Sequence, residues 1–340
     1  LALEMGYTRH AEAMMVGKAG RIAMLSVDNT GNSSLMKAIQ YSDIPALKLL
    51  IDSGGRSLVM HQNDDRQSTM HAAILRHTYN GKDCHELCRL LLAVGGKELL
   101  LATSVGGLTA LHGMSESRDT ALAHILLDVG GEELALVTAK NRITCLHLAA
   151  GCNNISLVRT LLKFGGRGLV MMQKENGYTA LHCASESGSC HLVRELLKFG
   201  GRDLINTTAL GGISALHLMV HKKRRKLVRE ILTHCGAEFV MVCMDNTSTL
   251  LYLSVTNLDV GMTRMLLAFG GKELVMLSVQ NRKSPLHFAV QYENVSLVDL
   301  LVQFGGKEIT LTRCSNGGSA LHLAIYRASL TGIAYNTEIN

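Results

Sequence analysis

The sequence predicts an all-α solenoid, in which stacked helix–turn–helix units are joined by hairpin-like finger linkers. Three observations carry this. The motif Thr179-Ala180-Leu181-His182 returns every 35 residues, at His112, His147, His182, His217, Tyr252, His287 and His322. A double glycine keeps the same beat at Gly130-Gly131, Gly165-Gly166, Gly200-Gly201, Gly270-Gly271 and Gly305-Gly306. Between them, apolar triplets fall at helical spacing: Val158, Leu161 and Leu162; Val193, Leu196 and Leu197; Val298, Leu301 and Val302. Such a register marks an array whose units pack only on their neighbours.

In chain order, residues 1–20 read as the tail of a unit whose front is missing, with an amphipathic helix at 10–15. The chain has no initiator methionine, so a fragment is expected. Units are expected at about 21–55, 56–96, 97–131, 132–166, 167–201, 202–236, 237–271 and 272–306, with 307–340 an incomplete ninth, all in one array. The first carries Ser34-Leu35-Met36 at the motif and Leu47, Leu50 and Ile51 in its second helix. The second is long, 41 residues from His71 to His112, and its surplus at 76–83, around Asn80-Gly81, is expected to lengthen the loop between its helices.

Within a unit, Thr179 caps a first helix that ends near Gly188, which suits the left-handed C-cap. Gly200-Gly201 is expected to end the second helix, with Leu204-Ile205 opening the linker. The linker turns at Asn141-Arg142, Asn176-Gly177, Gly211-Gly212, Asn246-Thr247, Asn281-Arg282 and Asn316-Gly317, mostly residues that accept positive φ. The apolar segment before each turn, such as Leu274-Val275-Met276-Leu277, fits a hairpin strand or a helical turn equally.

Composition excludes several functions. The apolar fraction of 47% suits a folded protein, and no apolar run reaches the ~18–20 residues of a membrane helix, so a soluble chain is expected. No signal peptide is visible. A net charge of +6, no Trp and 4% aromatics do not suit a dedicated nucleic-acid binder. Nine unpaired-looking Cys point to a reducing, intracellular compartment.

Seven of the fifteen His occupy the repeat position, and a catalytic His is needed once. The physical reading is a modified capping box, with His182 reaching back to the turn that Thr179 caps. Tyr252 keeps a polar ring at that position. Cys84-His85-x-x-Cys88 and the Cys183–Cys190 pair lack structural zinc spacing, and Cys88 aligns with the core positions Val158 and Val193. His182-Cys183 fails as a nucleophile pair, because adjacent helical residues point apart. No phosphate loop is present. No catalytic residue, metal ion, cofactor or small-molecule substrate is therefore expected.

Units with Thr-Ala-Leu-His-x-Ala and Leu-Leu-x-x-Gly-Gly resemble ankyrin repeats, over about residues 21–330 and about nine units. The period is two residues longer than that family's, and only Pro285 fills its Pro position. The resemblance implies a non-catalytic scaffold or adaptor that binds a protein partner through the concave face of fingers and inner helices. It is expected to be a cytoplasmic monomer. A targeting region of a larger enzyme, a kinase or ubiquitin ligase, or of a channel is the alternative.

Partner-binding candidates are finger residues that the repeat leaves variable: Asp64, Asp65, Arg66, Lys140, Arg142, Lys174, Glu175, Arg282, Lys283 and Arg313. A basic turn, Lys222, Lys223, Arg224, Arg225 and Lys226, breaks the pattern, with Lys223 where Gly188 stands. It reads as a solvated turn first. An acidic partner, a nuclear localisation signal or a nucleic-acid contact are its other uses.

Overall fold

The computed structural model describes residues 25–41, 44–80, 84–241, 243–244, 248–277 and 282–337. The helix expected at 10–15 and the Asn246-Thr247 turn lie outside them. The fold is all-α and of the ankyrin-repeat type. By packing, the chain divides into two compact parts, Leu1–Cys183 with Lys198–Gly200, and Ala184–Leu197 with Gly201–Asn340.

Helices come in pairs: α1 (Ser34–Tyr41) with α2 (Ile44–Val59), then α3 (Thr69–Asn80) with α4 (His85–Leu101). The next unit replaces its first helix by a 3-10 turn, Ala110–Ser115, before α5 (Thr120–Leu136). Gly113, a poor helix former, lies in that turn, and a Cβ there would stand 3.1 Å from Ile74. There follow α6 (Cys145–Gly151) with α7 (Ile155–Val170), and α8 (Ala180–Ser187) with α9 (Cys190–Asn206). Further along come α10 (Ala215–His221) with α11 (Arg225–Cys235), α12 (Leu250–Thr256) with α13 (Val260–Met276), and α14 (Pro285–Gln291) with α15 (Val295–Leu311). A single helix, α16 (Ala320–Thr337), stands where the sequence leaves its last unit unfinished.

The core is the predicted apolar stripe. Val158, Leu161, Leu162, Val193, Leu196, Leu301 and Cys88 are all buried, while Leu197, Val298 and Val302 are half-buried. Full burial of one such aliphatic side chain stabilises by about 1.5–3 kcal/mol.

The double glycine does more than end the second helix. In α5 the backbone breaks at Gly131 (φ 62, ψ −155) and resumes as a helical turn through Leu136. A Cβ on Gly130 would lie 2.5 Å from Leu134, so the first glycine admits that leucine and the second makes the bend. The apolar segment after the glycines is thus helical, Leu204-Ile205 lies inside α9, and the hairpin is confined to the finger beyond. Antiparallel bridges close the fingers, among them Val27–Ser33, Gln62–Ser68, Thr138–Thr144, Thr208–Ser214 and Arg313–Ser319, with a two-residue ladder of Cys243–Met244 on Ser248–Thr249.

The expected loop at 76–83 is corrected. Residues 76–80 continue α3, and 81–83 lie outside the described residues. The physical reason is a missing stop. Asn153, Gly188, Lys223, Leu258 and Glu293 take a left-handed cap six residues after the motif position, but His77 does not, so the helix runs on.

Candidate partner-binding surface

The motif histidines are built into the frame. At Ser68/His71, Thr109/His112, Thr144/His147, Thr179/His182, Ser214/His217, Ser284/His287 and Ser319/His322, the capping N–H donates to Nδ1 over 3.1–3.4 Å. The capping hydroxyl lies 2.7–2.9 Å from the same nitrogen. An Nδ1 that accepts is unprotonated, which leaves Nε2–H to donate to the following finger: Leu108 O for His71, Tyr178 O for His147 and Gly318 O for His287. Burial lowers His112 and His147 to about 4. His71, His147 and His287, bonded at both nitrogens, are joints between units, whereas the buried His112 Nε2 has no hydrogen-bond partner. Tyr252 departs from this expectation: Thr249 caps its N–H, but no box forms, and the ring packs edge-on to Phe288, 4.7 Å away.

What is left exposed is the finger tips. Asp64, Asp65, Arg66, Lys140, Arg142, Glu175, Arg282 and Arg313 are exposed, and Lys174 and Lys283 half-buried. The turns that hold them take the expected positive φ at Arg66, Asn141, Arg142, Gly177 and Arg282. One backbone hydrogen bond ties each tip to the next in the first compact part: Asp64 N–H to Thr30 O, Val105 N–H to Asp65 O, Lys140 N–H to Gly106 O and Glu175 N–H to Asn141 O. The candidates from Asp64 to Glu175 therefore share one ledge. Arg282, Lys283 and Arg313 belong to the second part and are described with it.

Two lysines lean inward from the tips over rings at the finger base. Lys174 Nζ lies 5.8 Å from the Tyr178 ring, which stacks on His182, and Lys283 Nζ lies 5.5 Å from Phe288. Lys283 also lines a cavity of about 360 Å³ with His287, Cys314, Asn316 and Tyr326.

The basic turn is partly spent on the fold. Arg224 Nη2 donates to the Glu186 carbonyl over 2.6 Å, and Arg225 holds Asp259 by two contacts, 2.6 and 3.3 Å. Lys222, Lys223 and Lys226 remain exposed. Sequence reading missed that pairing, and also a ladder in which the cation after one double glycine meets the acid of the next unit: Arg56–Glu98, Lys97–Glu133, Arg202–Glu238 and Lys272–Glu308. The signal was available, since the first of each pair follows a Gly-Gly directly.

Among the described residues there is no group of three His, Cys, Asp or Glu able to hold a metal ion, and no helix long and apolar enough to cross a membrane. The fold is that of a helical repeat array. Family models described as ankyrin repeats match residues 111–208 and 286–335. Over those residues the chain carries ankyrin repeats, and its fold is of the ankyrin-repeat type. Among curated proteins none matches it in sequence. The solved ankyrin repeat domain of Bcl-3, described as a unique member of the IkappaB protein family, is similar at TM-score 0.56 and 24% identity, covering 64% of this chain and 94% of that one. The human ASB11 ankyrin repeat domain is similar at TM-score 0.50 and 25% identity, covering 64% and 92%.

Proposed function

We propose that the chain is a non-catalytic scaffold or adaptor whose finger tips and first helices bind a protein partner. Ankyrin repeats are generally protein–protein interaction modules, and this supports the class. The observation that carries the finer reading is the ledge of tips. Charged, exposed side chains at Asp64, Asp65, Arg66, Lys140, Arg142 and Glu175 stand on turns tied to one another through the backbone. A surface held that way keeps its geometry, so binding loses little ordering entropy. Arg282, Lys283 and Arg313 extend the same role to later fingers.

The array acts as a monomer in the cytoplasm, built of the eight units and incomplete ninth delimited above. The commitment of Arg224 and Arg225 to Glu186 and Asp259 argues against a nucleic-acid role for 222–226. A pull-down tests the reading, with the intact array set against one carrying Asp64→Ala, Asp65→Ala, Arg66→Ala, Lys140→Ala and Glu175→Ala. Loss of a partner with unchanged helicity supports it, and equal recovery of every partner refutes it. A second reading, the targeting region of a kinase, ubiquitin ligase or channel, uses the same surface.

A further inference from the structure

In the first compact part, the groove between α1 and α3 holds a cavity of about 340 Å³. Met36, Ala72 and Leu75 line it with apolar surface, and Asn32, Gln40 and Gln67 with amides. Among the described residues that line it, Arg76 is the one cation, only 7% exposed. The Arg76 Nε and Nη1 are fully buried and have no hydrogen-bond partner. A guanidinium cannot shed its charge, and a buried charge left unpaired is strongly destabilising. The fold does not need it there. Five residues after the motif position, other units carry Tyr41, Ser117, Cys152, Ser187, Lys222, Asn257, Tyr292 and Arg327, and that last arginine is paired with Glu293. Arg76 is the one residue of this series that is buried, and it lines a cavity with its Nε and Nη1 lacking an acceptor.

We propose that this cavity is a recognition pocket for a carboxylate presented by a protein partner, with Arg76 as the group that reads it. A carboxylate supplies the acceptor oxygens the guanidinium lacks, in the planar geometry that Arg matches. The apolar lining accepts the methylenes of a glutamate, or the side chain of a C-terminal residue. The amides of Gln40 and Gln67 face the peptide groups beside it. A phosphate dianion fits less well, because no second cation lines the cavity among the described residues. The pocket rests on the scaffold reading and names the chemistry of the partner.

The test uses the full chain with arginine labelled by nitrogen-15, following the Nε–H signal of Arg76. The probes are Ac-Ala-Ala-Glu-Ala-Ala-NH2, its Gln analogue, Ac-Ala-Ala-Ala-Ala with a free carboxylate, and inorganic phosphate. The expected result is a saturable shift with the glutamate peptide or the free C-terminus, and whichever is stronger identifies the source. The Gln analogue is expected to bind about tenfold or more weakly, and Arg76→Met to abolish the difference. Without probe, Arg76→Met is expected to unfold at a higher midpoint than the wild type, since an apolar side chain of similar length relieves the unpaired charge. A midpoint that falls in Arg76→Met, equal binding of the Glu and Gln peptides, or a response to phosphate alone overturns the pocket. The pull-down with neutralised finger tips is independent of Arg76, so the scaffold reading can survive that failure.

Discussion

The Nε2 of His71 lies 2.8 Å from the carbonyl oxygen of Leu108, so a ring that caps one unit is bonded to the finger of the next. Its Nδ1 meanwhile accepts from the Ser68 N–H. One imidazole thus serves both local and inter-unit order, and it does so only when neutral. Protonating Nδ1 would set an N–H against the N–H it now accepts.

That geometry makes stability depend on pH in a stated direction. Burial lowers His71 and His287, and lowers His112 and His147 to about 4, against an unfolded value near 6.5. Between 6.5 and about 4 the unfolded chain binds the protons and the folded chain does not. The contribution is fully present above pH 6.5, falls as pH drops through the window, and changes no further below about 4. At pH 5 each of His112 and His147 is expected to remove about 2 kcal/mol. Denaturant midpoints at pH 7.5 and 5 measure this, with His147→Gln flattening the dependence. Equal midpoints would refute it.

The double glycine is expected to resist substitution at both positions for different reasons. Gly131 (φ 62, ψ −155) occupies backbone space that is essentially glycine's own, so Gly131→Ala is expected to destabilise by about 1–3 kcal/mol. Asn, which tolerates the ordinary left-handed region, should rescue nothing there. Gly130→Ala strikes Leu134 instead, and overpacking of that kind costs about 1–3 kcal/mol. If Gly131→Asn unfolds at the wild-type midpoint, the bend is not what the glycine supplies.

The helix pairs, the capping histidines and the finger turns were legible because each recurs, and recurrence separates pattern from accident. The segment after the glycines was not. Leu204-Ile205 fits a strand or a turn equally, and the choice is made by the backbone of Gly201 (φ 58, ψ −148). The surplus at 76–83 misled because polarity suggested a loop, whereas the deciding fact is that His77 adopts no left-handed cap. Tyr252 misled in another way: position alone does not make a box when the ring finds Phe288. Variability between units singles out the finger tips, which the structure leaves largely exposed. The burial of Arg76 follows from the continuation of α3, which no local pattern announces.

The left-handed cap itself offers a gain. Leu258 holds φ 54 at the position that Gly188 fills, with its N–H on Val255 O and the next N–H on Ser254 O. A non-glycine residue there bears about 1–2 kcal/mol of strain, while glycine adds about 0.4–1 kcal/mol of unfolded-state entropy. Leu258→Gly is therefore expected to stabilise by about 0.5–1 kcal/mol, the more so because the side chain is half exposed and loses little packing. A lower midpoint for the variant would show that Leu258 packs better than its exposure implies.

Electrostatic joints between units should differ sharply in worth, and burial decides which matter. Lys272 and Glu308 are both more than half exposed, so Lys272→Ala is expected to change stability by less than about 0.5 kcal/mol. Asp259 is different. Its side chain is 1% exposed, caps α13 by accepting from Met262 N–H over 2.9 Å, and receives Arg225 as well. Asp259→Ala removes the cap and the charged hydrogen bonds together, for an expected loss of about 2 kcal/mol, while Asp259→Asn keeps the cap and loses less. Within the basic turn the same logic separates neighbours: Arg225→Ala should lower the midpoint, and Lys222→Ala, Lys223→Ala and Lys226→Ala should not. Equal effects for Arg225→Ala and Lys226→Ala would mean that the pair with Asp259 contributes nothing beyond its solvation, and that the turn is a solvated face throughout.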